Sequence, residues 1–217
     1  MSLMAPAEPR QLVCLARSFG RHALELGNPV PTRPLFFLKS PRSIIAPGEP
    51  IMLPKESGEV HHEGEVAVWI DAPLSQASVA EAEAAIASWT ILNDVTARDV
   101  QRADGGRFTR AKSFPTFCPL AAESLPSLPH RSEVRIQCWV NRELRQDAPL
   151  SDMLFSPGEA LAAISETMTL GRGDLVSLGT PAGVATLHHG DEVEVRLVDR
   201  AGQRLLSLSN PVVGPHR

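Results

Sequence analysis

Two glutamates separated by one glycine, Glu63-Gly64-Glu65, open the apolar run Val66-Ala67-Val68-Trp69-Ile70. On a strand, side chains two residues apart share a face at roughly 7 Å spacing, so the two carboxylates converge. Carboxylates that close repel unless a proton or a cation lies between them, and hard divalent cations such as Mg²⁺ favour oxygen ligands. The stretch therefore reads as half of a metal site. His61 shares the face of the glutamates and is a candidate to support them, whereas His62 should point away.

Further groups with chemistry of their own lie elsewhere in the chain. Residues Arg17 to Leu26 suit a helix, closed by Gly27 and blocked by Pro29, and on it His22 and Glu25 share a face three residues apart. The pair is either a solvated ion pair or an acid–base dyad. Asp94, Arg98 and Gln101 are spaced by four and three, which lines them on one helical face; the alternative is an Asp cap with an i,i+4 ion pair. Lys112 sits among small and apolar residues, either partly buried or snorkelling to solvent. Lys39 ends the apolar segment Pro34-Leu35-Phe36-Phe37-Leu38-Lys39 and reads as structural or surface.

The elements that must position these groups are mostly strands. Leu12 to Leu15 form a buried first strand, and Ser40 to Ser57, with their prolines, form a loop or short edge strands. Ser78 and Glu81 make a capping box for an alanine-rich helix predicted to run to Trp89, with a strand over Thr90 to Leu92. Val134, Ile136, Cys138 and Val140 alternate as a half-buried strand that turns at Asn141-Arg142. A second capping box, Ser156 with Glu159, opens a helix with Leu161, Ile164 and Met168 on one stripe. Asp174 to Leu178 then lead into Gly179-Thr180-Pro181-Ala182-Gly183, and a hairpin turning through Asp199 to Gly202 closes the chain. Many strands and few helices favour a mostly-β α+β fold over a doubly wound one. With 217 residues, no repeat and no linker, residues 1–217 are expected to form one domain.

Composition narrows the function. Lys plus Arg total 21 against 25 Asp plus Glu, for a net charge of -4, and no basic motif is present, so nucleic acid is not an expected partner. The three cysteines are odd in number and widely spaced, which suits a reducing cytoplasm. Met1 to Arg10 contain no apolar core, and no segment has the length of a membrane span. No nucleophile elbow, zinc-protease helix, phosphate loop or dinucleotide fingerprint occurs. A metal–carboxylate site remains.

Four ordered motifs, His61-His62-Glu63-Gly64-Glu65, Asp94-Val95-Thr96-Ala97-Arg98-Asp99-Val100-Gln101, Ala111-Lys112-Ser113-Phe114 and Gly179-Thr180-Pro181-Ala182-Gly183-Val184, resemble the fumarylacetoacetate hydrolase family. The resemblance covers nearly the whole chain and is strongest to short single-domain members acting on acylpyruvates or oxaloacetate. It implies a mixed β-roll, a homodimer, and Mg²⁺ or Mn²⁺ held by Glu63, Glu65 and Asp94. It further implies Arg98, Gln101, Thr180 and Lys112 facing the substrate, and His22 with Glu25 as a dyad on a mobile helix. Where relatives have an Asn-Tyr pair this chain has Ser18-Phe19, and it contains no tyrosine.

The activity expected from this resemblance is hydrolytic C–C cleavage of an acylpyruvate through its enolate, with His22, Glu25 and Lys112 catalytic. Glu25 would orient His22, His22 would take a proton from water, and Lys112 would balance the oxyanion. The alternatives are decarboxylation of oxaloacetate, isomerisation of a 2-hydroxydienoate, or, without catalysis, binding of a 2-oxo acid.

Overall fold

The computed structural model describes residues 8–214. The N-terminal expectation falls largely on residues 1–7 and so lies outside the described residues. The chain runs through β1 (Leu12–Ala16), α1 (Gly20–Glu25), β2 (Leu35–Lys39), β3 (Ile44–Ile45), β4 (Ile51–Met52), β5 (Val60–His61) and β6 (Gly64–Ile70). It continues with α2 (Val79–Ala84), β7 (Ile86–Asn93), β8 (Thr96–Ala97), α3 (Arg98–Ala103), α4 (Thr109–Lys112) and β9 (Cys118–Pro119). The second half holds β10 (Val134–Val140), β11 (Glu143–Pro149), α5 (Pro157–Ser165), β12 (Leu175–Ser177), β13 (Glu192–Asp199) and β14 (Arg204–Val213). The fold is the mostly-β α+β type expected from the sequence.

Two five-stranded sheets dominate, in the orders β2-β1-β12-β6-β7 and β11-β10-β13-β14-β4. In the first, β1 and β12 are parallel and the other pairs antiparallel. Their facing surfaces share one core, with Val13, Leu15, Val66 and Val68 from the first sheet and Ile136, Cys138, Val195 and Leu206 from the second. The far face of the first sheet carries another cluster, Leu12, Cys14, Ala67, Leu92 and Leu175, covered by Cys118 and Leu120. Burial on both faces explains why β1 and β6 read as unbroken apolar runs rather than alternating ones.

At Gly64 the two sheets approach each other closely. A Cβ there would lie 3.1 Å from Cys138 Cβ and 3.3 Å from Val195 Cγ1, so only a residue without a side chain fits between the two glutamates without a shift of its neighbours. Both capping boxes form as expected. The alanine-rich helix, however, stops at Ala84 rather than Trp89, because β7 pairs along β6 with Trp69 opposite Ser88 and Val68 opposite Trp89. Sheet pairing overrides local helix propensity there. Likewise α3 starts only at Arg98, uncapped by any side chain, so Asp94 lies outside it and neither the shared helical face nor the Asp cap forms. Among the described residues, no helix is long and apolar enough to cross a membrane.

Candidate metal centre

Glu63 precedes β6, Glu65 lies within it, and Asp94 follows β7 directly. The two segments are tied together: Asp94 N–H donates to the Glu63 carbonyl at 2.8 Å, and Glu63 N–H donates to Asn93 Oδ1 at 2.8 Å. One carboxylate oxygen from each of Glu63, Glu65 and Asp94 lies within 4.8 Å of the others, and all three residues are buried. The glutamates converge as their spacing predicts, although Glu63 stands outside the strand.

Three cations surround this cluster. Lys112 Nζ donates to Glu63 Oε2 at 2.7 Å, Asp94 Oδ2 at 2.6 Å and Thr96 Oγ1 at 2.7 Å. Lys39 Nζ donates to Asp94 Oδ1 at 2.7 Å and to the Lys112 carbonyl. Arg98 donates through Nη2 to Glu63 Oε1 and through Nη1 to Gln101 Oε1 at 3.1 Å. Burial opposes the charge on Glu63, but Arg98 and Lys112 override it and hold the carboxyl well below the usual carboxylate range. Burial likewise opposes the charge on Lys112, and Asp94 and Glu63 carry its pKa above 10.5. The i,i+4 ion pair between Asp94 and Arg98 does not form, because each has a closer partner of opposite charge.

Glu65 is the exception. Its Oε2 accepts from Ser177 Oγ and from Gly179 N–H at 3.1 Å, yet burial, Asp94 and Glu63 together push its pKa well above 4.5. A carboxyl pressed by two like charges in a dry site is relieved by a cation of higher charge than an ammonium. The cluster offers only carboxylate oxygens, with no histidine or cysteine among its members. The donor set therefore fits a hard divalent ion such as Mg²⁺ or Mn²⁺ and not a soft one.

A cavity of about 450 Å³ opens onto the cluster, a size usual for small-molecule sites. His22, Glu63, Glu65, Arg98, Gln101 and Thr180 lie in its wall with Lys112. Asp94 is fully buried behind it. His22 Nδ1 is 3.2 Å from Glu25 Oε2, and Glu25 Oε1 accepts from Gly183 N–H at 2.9 Å, so the α1 pair is fastened to the glycine loop. Burial, the largest effect, lowers the His22 pKa from 6.5, assisted by Arg98 and opposed by Glu63 and Glu25. The imidazole is neutral near pH 7. Thr180 Oγ1 donates to the Gly64 carbonyl at 3.0 Å and accepts from Gln146 Nε2 at 2.7 Å.

A family model described as fumarylacetoacetate (FAA) hydrolase C-terminal matches residues 11–213. The chain belongs to the fumarylacetoacetate hydrolase family. A mitochondrial oxaloacetate tautomerase of Caenorhabditis elegans is 35% identical over 199 residues, spanning 89% of this chain and 92% of the relative. The crystal structure of 5-carboxymethyl-2-hydroxymuconate delta-isomerase from Mycobacterium smegmatis superposes with a TM-score of 0.87 at 37% identity, covering 98% of this chain and 82% of the isomerase. Fumarylpyruvate hydrolase from Pseudomonas aeruginosa, in complex with Mn²⁺ and pyruvate, has a TM-score of 0.84 at 26% identity, covering 98% and 99% of the two chains. These members of the family are enzymes, and their reactions differ.

Within this family fold, several partners of the site have no local signal in the sequence. Lys39, read as structural or surface, is buried against Asp94. Gln146 joins two of the motifs, with Oε1 accepting from Gly64 N–H at 3.0 Å and facing His62 Nδ1 at 3.1 Å, and Nε2 donating to Thr180. Burial, the largest effect, lowers the His62 pKa to about 4. His61 Nδ1 accepts from Arg98 Nε at 3.3 Å, which makes it a support for the arginine on Glu63. Phe19 is buried in the core and is not among the residues lining the cavity.

Proposed function

We propose that the chain is a divalent-metal-dependent enzyme that moves a proton on a 2-oxo acid, interconverting its keto and enol forms. The observation that carries this reading is the His22–Glu25 pair, with His22 in the wall of the cavity that also exposes Glu63 and Glu65. Held by Glu63, Glu65 and Asp94, Mg²⁺ or Mn²⁺ would supply Lewis-acid polarisation of the substrate's oxygens.

Glu25 takes the Nδ1–H of His22 as a hydrogen bond, which leaves Nε2 as the base. Nε2 accepts a proton from the carbon beside the keto group and delivers it to the enol oxygen, or runs the transfer in reverse. The imidazole ends neutral, as it began. Arg98 and Gln101 face the bound acid, and Lys112 favours the ionised form of Glu63 and holds both Glu63 and Asp94 in place by hydrogen bonds.

Hydrolysis of an acylpyruvate uses the same pair. Nε2 would take a proton from water, whose oxygen adds to the distal carbonyl; the C–C bond then breaks to give pyruvate and a second carboxylic acid. Similarity to fumarylpyruvate hydrolase along almost both entire chains supports this second reading. The tautomerase and isomerase relatives, at higher identity, favour the first. A cytoplasmic homodimer belongs to the same proposal, with the exposed Leu24, Leu35 and Leu38 as apolar surface for a second copy.

The test is a panel of 2-oxo acids with metal-loaded protein, followed by ultraviolet absorbance and product identification. Keto–enol interconversion without a new product supports the first reading. A second carboxylic acid points to hydrolysis and carbon dioxide to decarboxylation; no metal-dependent turnover of any member sinks them all.

A further inference from the structure

Among the described residues, one cation in the cavity wall has no counter-charge. Arg98 and Lys112 are engaged by Glu63, and Arg102 at the rim by Glu59. Arg17 lines the same cavity and, among the described residues, makes no hydrogen bond or ion pair through its side chain. A guanidinium does not lose its proton near neutral pH, so this is a fixed positive charge facing the space where substrate must sit.

Its backbone is unusual as well. Arg17 has φ +57°, a left-handed conformation that non-glycine residues seldom adopt. The flanking chain enforces it. Ala16 ends the buried strand β1, and Ser18 Oγ donates to the Leu178 carbonyl at 2.5 Å, where Gly179 closes against Ser18 so tightly that a Cβ would collide with the hydroxyl. Glycine would be the unstrained choice at position 17. An arginine held there by an over-determined backbone is strain of the kind that accompanies a functional side chain.

We propose that Arg17 is a specificity-determining residue that binds a second carboxylate, at the end of the substrate remote from the 2-oxo acid head, and so selects dicarboxylic 2-oxo acids. The planar fork of arginine matches a carboxylate with two parallel hydrogen bonds. The head group would go to the carboxylate cluster, leaving the tail for Arg17 in the wall of the same cavity. The inference rests on the 2-oxo acid reading, but it concerns binding and is tested by binding.

The probes are 3,3-difluoro-oxaloacetate, which has no proton at C3 to transfer, and its C4 methyl ester. Calorimetry with the Mg²⁺-loaded wild-type protein should show the dicarboxylate binding roughly ten- to a hundredfold tighter than the ester, the range for a hydrogen bond to a charged group. In Arg17→Gln that ratio should collapse towards one, and in Arg17→Lys, which keeps the charge and loses the fork, it should be intermediate. Equal affinity of wild type for the two probes, or a ratio unchanged in Arg17→Gln, would overturn the proposal. Failure of the proton-transfer reading shows separately, as absent turnover of substrates bearing a C3 proton while the ratio persists. Circular dichroism of each variant establishes folding, and the lysine variant carries the test should the glutamine variant unfold.

Discussion

Replacing Glu25 with glutamine removes the charge beside His22 and little else. The amide oxygen can still accept from Gly183 N–H, now 2.9 Å from Oε1, so α1 stays fastened to the glycine loop. Glu25 is a third exposed, and the pair it forms is worth no more than about 1 kcal/mol of stability, so the fold should be unaffected. Catalysis should be affected strongly. The amide NH₂ can donate to Nδ1 and turn the imidazole into the tautomer with Nε2 protonated, which removes the base from the cavity. A positioned base contributes about 10²- to 10⁴-fold, and kcat should fall within that range while KM changes little. A second signature follows from charge. Glu25 raises the His22 pKa, by hydrogen bond and by Coulomb attraction, against a net lowering led by burial. In wild type the acid limb of kcat should therefore lie below pH 6.5, and in Glu25→Gln it should move to still lower pH. Glu25→Ala, which also frees Gly183, should lower kcat as far and raise KM. Metal-saturated kinetics from pH 4.5 to 8 measure all of this. A kcat within a factor of about two of wild type, or an acid limb that moves up, refutes the dyad.

The remaining expectations concern the carboxylate cluster. Lys39→Met leaves Asp94 with one of its two buried ammonium partners removed and should cost about 3–5 kcal/mol, read by thermal or denaturant unfolding; an unchanged midpoint would show that Lys39 does not carry the charge of Asp94. Mg²⁺ or Mn²⁺ at a hundred times its Kd should stabilise the protein by about 2.7 kcal/mol, and Glu65→Gln should abolish most of that gain. A melting temperature indifferent to either ion would remove Glu63, Glu65 and Asp94 as its ligands.

How much of this was legible in the sequence differs from residue to residue. The two glutamates around Gly64 and the dyad on α1 could be seen because each depends on neighbours within four positions. Lys39 could not, since a lysine at a strand end looks the same whether it meets solvent or Asp94 fifty-five residues away. Gln146 and Ser177 are hidden for the same reason: each reaches the site through sheet pairing that brings distant segments together. The spacing of Asp94, Arg98 and Gln101 was informative in part. Arg98 and Gln101 do meet on α3, but the turn before it sends Asp94 towards the two lysines. Residues Ile86 to Trp89 mislead because they follow the alanine- and glutamate-rich helix with no glycine or proline to mark its end, while the edge of β6 offers a strand a full set of partners.

The account stands most directly on proton transfer by His22 at a metal-dependent site. Deuterium incorporation at C3 of oxaloacetate in D₂O, followed by proton NMR with Mg²⁺-loaded wild type and His22→Ala, measures that step, with calorimetry checking that both proteins bind the ion equally. Metal-dependent exchange above the uncatalysed rate in wild type, falling by about 10²- to 10⁴-fold in His22→Ala with ion binding intact, is the expected result. Exchange that survives the loss of His22, or wild-type exchange no faster than background, would contradict it.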